Sequence, residues 1–228
     1  MKLFTKVIGT SIGMAAALAL SASTSYANLL TDPGFESGAP GEPNPILLPG
    51  GAGGGWAVFN DAAYSTAQAE SGTYSVVESE GIGQAWNFAA AYQVIGGVTA
   101  GQSYTLTGDF MTTAAPLSSY NPVFIQLTFF NAAGTDIGTV QTGGSGAYAL
   151  QYGAASPNVW YTASVTATAP ATAVYVAPYL AMMENGANAS AETIYWDNAN
   201  MTLVPEPSTL ALLGMGLSIP FYFFRRRN

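Results

Sequence analysis

The sequence predicts an all-β protein, a two-sheet antiparallel sandwich, and three observations carry that expectation. Between residues 28 and 204 no long stretch shows helical periodicity. Short runs rich in Val, Ile, Thr, Tyr and Phe recur there instead, each bounded by Gly, Pro, Asn or Ser. Eight or more such runs at this spacing suggest two packed sheets.

The expected strands, in order, are 56–60, 73–78, 91–95, 104–111, 123–130, 137–140, 160–167, 174–180 and 192–203. The clearest is 123–130, where Val123, Ile125, Leu127 and Phe129 alternate with Phe124, Gln126, Thr128 and Phe130. Asn131-Ala132-Ala133-Gly134 then marks a turn into the next run, a hairpin signal. Residues 38–55 hold seven Gly and four Pro and form a long surface loop or insertion. A second glycine-rich connection covers 142–153.

Charge is distributed more informatively than its total suggests. Of 228 residues five are Lys or Arg, and all five lie at the extremes: Lys2, Lys6 and Arg225 to Arg227. Residues 28–204 contain no Lys, Arg or His, while twelve of the thirteen carboxylates lie there, a formal charge of −12 without counter-charge. Nucleic-acid binding and phosphate transfer need cationic clamps and are excluded. Serine and cysteine hydrolases need a base beside the nucleophile, and His and Cys are both absent. Carboxylate chemistry remains, either glycoside hydrolysis or an all-oxygen metal site. Glu78 and Glu80 share one side of their run, and the following Gly81-Ile82-Gly83 makes a solvated acidic rim the plainer reading than an acid–base pair. The chain is not expected to be an enzyme.

Both ends read as addresses. Residues 1–6 are basic, 7–20 are apolar, and Ser25-Tyr26-Ala27 places small residues before a cut between Ala27 and Asn28. That is a secretory signal peptide over 1–27. Residues 210–224 carry no charge and precede Arg225, Arg226 and Arg227. As a helix they span about 22 Å, short of the roughly 30 Å hydrocarbon core unless Ser208 and Thr209 join or the bilayer thins. The arginines would hold that end on the cytoplasmic side.

Val204-Pro205-Glu206-Pro207 stands ahead of this apolar stretch. Together, Pro205, Glu206 and Pro207, the transmembrane helix and the arginine cluster resemble the PEP-CTERM sorting signal of exopolysaccharide-producing Gram-negative bacteria. The resemblance covers 204–228. It implies anchoring in the inner membrane, recognition by an exosortase (a membrane-embedded cysteine transpeptidase), removal of the helix, and a cell-surface or matrix destination.

The body, 28–203, carries a second resemblance. Asn28 to Gly38 (NLLTDPGFESG), Trp56, Ser71-Gly72-Thr73-Tyr74-Ser75, Tyr92-Gln93-Val94, Ala100 to Leu106 (AGQSYTL) and Ile194-Tyr195-Trp196-Asp197-Asn198 follow in order. These look like a galactose-binding-like jelly roll, the fold of many carbohydrate-binding modules. Such modules commonly hold a structural Ca²⁺ where first and last strands meet. The resemblance places the ion on the Glu36 and Asp197 side chains and on carbonyls of Gly34 and Thr73, with Glu70 as a further ligand.

Read from the residues alone, uninterrupted alternation puts Tyr195, Asp197, Ala199, Met201 and Leu203 on the core face. An inward Asp197 would be protonated, hold several backbone hydrogen bonds, or bind a metal, because an unpaired buried carboxylate is very costly. The plainer alternative has Glu36 capping local backbone and Asp197 at a solvated strand end. For polysaccharide contact the candidates are Trp86, with Tyr120, Gln126, Tyr175 and Trp196 placed opposite the core. For any single aromatic the alternative is that it fills the sandwich. The expected role is non-catalytic contact with matrix polysaccharide. A coat or matrix building block without a glycan site is the alternative, and a carboxylate-only glycan-cleaving enzyme is a weaker third.

Overall fold

The computed structural model describes residues 27–38, 55–80, 88–113, 122–141, 156–183 and 192–205. Among these the regular elements are eleven strands and no helix. They are β1 (Ala57–Phe59), β2 (Ala62–Ser65), β3 (Ser75–Glu80), β4 (Phe88–Tyr92), β5 (Ile95–Gly96), β6 (Ser103–Thr112), β7 (Val123–Phe130), β8 (Asp136–Gln141), β9 (Tyr161–Thr168), β10 (Tyr175–Met183) and β11 (Glu192–Leu203). All pairings are antiparallel. One sheet has the order β1-β4-β10-β7-β8, with β5 also on β10; the other runs β2-β3-β11-β6-β9. The chain is a two-sheet jelly roll, as its sequence predicts.

The two sheets follow different burial rules, and sequence explains why. In β9 the pattern is strict: Ala163, Val165 and Ala167 are buried while Thr162, Ser164, Thr166 and Thr168 are exposed. In β6, Tyr104, Leu106 and Phe110 enter the core. Ser103, Thr105 and Asp109 face outward and meet Thr168, Thr166 and Thr162 in side-chain hydrogen bonds of 2.7, 2.7 and 2.6 Å. Such alternation marks a sheet with one wet face. By contrast β4 (FAAAY), β7 (VFIQLTFF) and β10 (YVAPYLAMM) are apolar on both sides. Their inward residues, among them Val123, Ile125, Leu127, Phe129, Leu180 and Met182, join the inter-sheet core. Their outward residues Ala90, Tyr92, Phe124, Phe130, Ala177, Tyr179 and Ala181 form a second buried cluster.

Pro178 sits inside the central strand β10, where its missing N–H would ordinarily break a ladder. Its carbonyl accepts from Gln93 N–H at the gap between β4 and β5, so the absent donor falls where pairing is already interrupted.

Three expectations are corrected here. The register of β11 against β6 slips between Asp197 and Asn200, where Asn198 takes a φ of +48°. This bulge reverses the alternation. Ile194 and Trp196 point into the core before it, and Ala199 and Met201 after it. Trp196 is therefore fully buried against Phe110 and is no glycan platform. Asp197 lies opposite Asp109, whose face is the outer one. It is buried, but by the loop that follows β2 and not by the core. Glu78 is no solvated rim: it is buried, and its Oε2 accepts the Trp196 indole N–H at 3.2 Å.

The chain ends leave from one end of the sandwich. Leu203 pairs with Tyr104, and Val204 N–H donates to Ser103 O at 2.8 Å. On the other side of β11, Leu29 N–H donates to Met201 O at 2.8 Å. The Asn28 side chain donates to Ala199 O and accepts from Met201 N–H.

Candidate functional site

Among the described residues, two clusters of polar side chains stand out as candidate sites. The first is the outer face of the six-stranded sheet. Register places Tyr92, Tyr179, Gln126 and Gln141 in one row across β4, β10, β7 and β8. Tyr92 and Tyr179 stack with centroids 5.3 Å apart and planes at 19°. Phe88 and Phe124 stack beside them at 5.5 Å. Burial raises the phenol pKa of Tyr92. For Tyr179 burial does the same, with Tyr92 and then Asp136 adding to it, so both stay neutral hydroxyls.

The β7–β8 side of that row is a polar ladder. Gln141 Nε2 donates to Gln126 Oε1 at 2.6 Å, and Gln126 Nε2 donates to Thr128 Oγ1 at 2.8 Å. Thr139 Oγ1 reaches Thr128 Oγ1 at 3.1 Å and Asp136 Oδ2 at 3.3 Å. Tyr92 and Tyr179 are buried, Gln126 and Gln141 half-buried, and Thr139 and Asp136 exposed. Tyr175 stands half-buried on the same face, opposite Phe130. Amides and hydroxyls in a fixed network beside apolar rings suit a neutral, hydroxyl-rich ligand.

Gln126 and Tyr175 were singled out by alternation and do share this face. Trp86 and Tyr120 lie outside the described residues, as do Glu206, Pro207 and Arg225 to Arg227. Tyr92, Tyr179, Thr128, Thr139 and Gln141 were missed. Alternation with Gln126 gives Thr128, and a spacing of four from Tyr175 gives Tyr179. Only strand order joins Tyr92 and Gln141 to them.

The second place is a clasp of carboxylates over the five-stranded sheet. Residues 70–74 present four N–H groups. Those of Glu70 and Ser71 go to Asp197 Oδ2 at 2.8 and 3.0 Å. Those of Thr73 and Tyr74 go to Glu36 Oε1, both at 3.0 Å. Asn198 N–H adds a bond to Asp197 Oδ1 at 2.7 Å. Gly72, at φ +63°, has no Cβ because the Glu36 carboxylate occupies that space. Asn198 Nδ2 bonds Glu70 Oε2 at 3.0 Å.

Desolvation raises the Asp197 pKa against these amide bonds, and the Glu36 charge adds to the rise. Desolvation also raises that of Glu70, followed by a hydrogen bond to the Asp109 carboxyl. Of the expected metal ligands, Glu36 and Asp197 accept from the backbone of residues 70–74, Thr73 is engaged through its N–H, and the Glu70 side chain turns to Asn198. Gly34 lies beside Glu36, a Cβ there falling 3.7 Å from Glu36 Cγ. Among the described residues no group of three or more acidic side chains is arranged to hold a metal ion. An ion here would rest on two carboxylates completed by neutral oxygens, a hard donor set.

Residues 203–227 match the family model of the PEP-CTERM protein-sorting motif. No curated protein matches the chain. Among solved structures, the enzymatically active domain of bacteriophage CBA120 tailspike protein 4 has a TM-score of 0.50 at 11% identity. The match covers 78% of this chain and 21% of the tailspike, so this chain spans about a fifth of that protein. TmCBM61, solved with β-1,4-galactotriose, has a TM-score of 0.43 at 16% identity over 77% of this chain and 97% of its own. A family 16 carbohydrate-binding module has 0.44 at 19% identity over 78% and 100%. At 11% identity the likeness to the tailspike domain is one of fold alone.

Proposed function

We propose that this chain is an exported surface or matrix protein, processed by an exosortase, whose sandwich contacts polysaccharide without cleaving it. The observation that carries the reading is the polar ladder of Gln126, Gln141, Thr128 and Thr139 beside the Tyr92–Tyr179 stack. Its half-buried Gln126 and Gln141 and exposed Thr139 offer donors and acceptors in fixed orientation, as sugar hydroxyls require, over the buried Thr128 and the two buried, protonated phenols. The sorting motif at 203–227 supports export and removal of the tail. Against catalysis stands the position of Glu78, buried and bonded to Trp196, where no glycosidic oxygen reaches it.

Ca²⁺ held by Glu36 and Asp197 belongs to the same proposal. Residues 28–204 supply no cationic side chain, and desolvation raises the Asp197 pKa against its backbone hydrogen bonds, with the Glu36 charge adding to the rise. A bound divalent ion supplies the missing positive charge and ties the first turn of the body to its last strand.

A second reading, a coat protein with no glycan site, is favoured by one observation. Trp56 and Trp196 are fully buried, and the exposed large hydrophobics among the described residues, Leu29, Val140 and Val159, include no aromatic.

Affinity electrophoresis through gels of the producer's exopolysaccharide and a glycan panel, with Ca²⁺ present, separates the two. Retardation by one glycan, lost in Gln126→Ala and Tyr175→Ala, establishes the ladder as the contact face. Loss in Trp86→Ala instead moves the contact to the 81–87 connection. A folded protein retarded in no gel leaves the coat reading.

A further inference from the structure

We propose that the end of the sandwich from which both chain ends leave is an uncharged docking surface for the membrane-embedded sorting transpeptidase. This rests on the sorting route proposed above and adds a partner surface to it.

The fold runs directly into the sorting motif. The motif begins at residue 203, yet Leu203 is still paired with Tyr104 in β11. Val204 N–H is bonded to Ser103 O. From Val204 to Leu210, where the apolar stretch begins, six residues reach at most about 21 Å even when fully extended. An enzyme that cuts near Pro205 at the membrane surface must work inside this gap. It therefore meets the folded end of the body. The start of the body is fixed to the same place, because Asn28 and Leu29 grip Met201 and Ala199 on the free side of β11.

The connections at this end are tied into one surface. Gly101 N–H bonds Ala169 O and Ala169 N–H bonds Gln102 O, both at 2.8 Å. Val98 N–H bonds Val174 O, and Val174 N–H bonds Phe130 O. Their sequences are 97–102 GVTAGQ, 131–135 NAAGT and 169–174 APATAV, small residues without a single charge. Ala100, Ala132, Ala133, Ala171 and Thr172 are exposed. Asp136, the carboxylate that follows 131–135 in sequence, accepts from Gly138 N–H and Thr139 Oγ1. In a body with twelve carboxylates and no cation, three adjoining connections without charge are a distinct surface among the described residues. Docking interfaces are depleted of charge at their centre, because a carboxylate buried there without a partner is costly.

The test follows the full chain in the producing bacterium by pulse-labelling, reading the ratio of tailed to processed protein. A variant carrying Ala100→Glu, Ala133→Glu and Ala171→Glu is expected to lose its tail several-fold more slowly. The same variant with a Gly-Ser linker of about ten residues between Val204 and Pro205 is expected to regain the normal rate, since the linker removes the need to dock. A charged variant processed at the unmodified rate overturns the proposal. So does slow processing that the linker leaves unrelieved, which marks a folding defect. An unmodified chain that keeps its tail sinks the sorting route itself, and this inference with it.

Discussion

Asp197 accepts backbone N–H groups from Glu70, Ser71 and Asn198, and it does so in a body with no cationic side chain. Removing the carboxylate orphans all three donors, so Asp197→Ala is expected to cost about 3 kcal/mol and to lower the melting temperature accordingly. Asp197→Asn keeps an acceptor and should cost less. The pH dependence has an unusual sign. Asp197 and Glu70 are both raised from ordinary values of 3.8 and 4.5. In the window above those values the folded chain holds more protons than the unfolded one, so stability falls as pH rises. Without bound Ca²⁺, acidification from neutrality towards about pH 5 is expected to raise the melting temperature. Asp197→Asn should flatten part of that slope in thermal melts across pH. Among individual residues, the sequence, through its resemblance, grouped Glu36, Glu70 and Asp197, and the structure sets them around residues 70–74 without arranging three carboxylates as a metal group. It could not supply their partners, because amide donors belong to a loop conformation and leave no mark in residue type.

The β11 bulge shows what one inserted residue does to an element. The bounds of β7 and β11 are those that sequence predicts, and β3, β6, β8 and β9 differ by a residue or two. The expected 91–95 strand divides into β4 and β5 around Gln93, whose amide is drawn to Thr31. β2 was not expected at all: Ala62–Ser65 is four residues long and its pattern is weak. Within β11 the alternation is right up to Trp196 only if counted from the other parity. Asn198 carries a positive φ that Asn tolerates and β-branched residues do not. Asn198→Gly should therefore keep the bulge, and Asn198→Val should lose about 2 kcal/mol or more in chemical unfolding. Gly72→Ala is the sharper test of the clasp. The new methyl would displace the Glu36 carboxylate, and its φ of +63° adds backbone strain. It should destabilise by more than Glu36→Ala does, by about 1 kcal/mol in the same assay.

Across the body, residues 28–204, twelve carboxylates repel one another with no internal counter-charge. Stability should rise with salt, and faster with Ca²⁺ than with Na⁺ at equal ionic strength if Glu36 and Asp197 hold the ion. Equal responses to the two salts, read as melting temperature with and without chelator, would remove Ca²⁺ from the proposal. The charge itself is unevenly placed. The end bearing both termini has neutral connections, whereas Glu70, Asp109 and Asp197 gather over the five-stranded sheet.

The sequence by itself determined the fold class, nearly all the strands, the sorting motif at the C-terminal end and the absence of cationic chemistry from residues 28–204. Each of these depends on local pattern or on composition, and both survive in a linear reading. Tertiary structure alone decided which face Trp196 occupies and what satisfies Asp197. It also decided that Tyr92, Tyr179, Gln126 and Gln141 form one row. Those outcomes depend on register across strands up to about ninety residues apart and on a single bulge that exchanges two faces. A change of one residue in register turns every later side chain to the opposite side, and nothing local in the sequence records it.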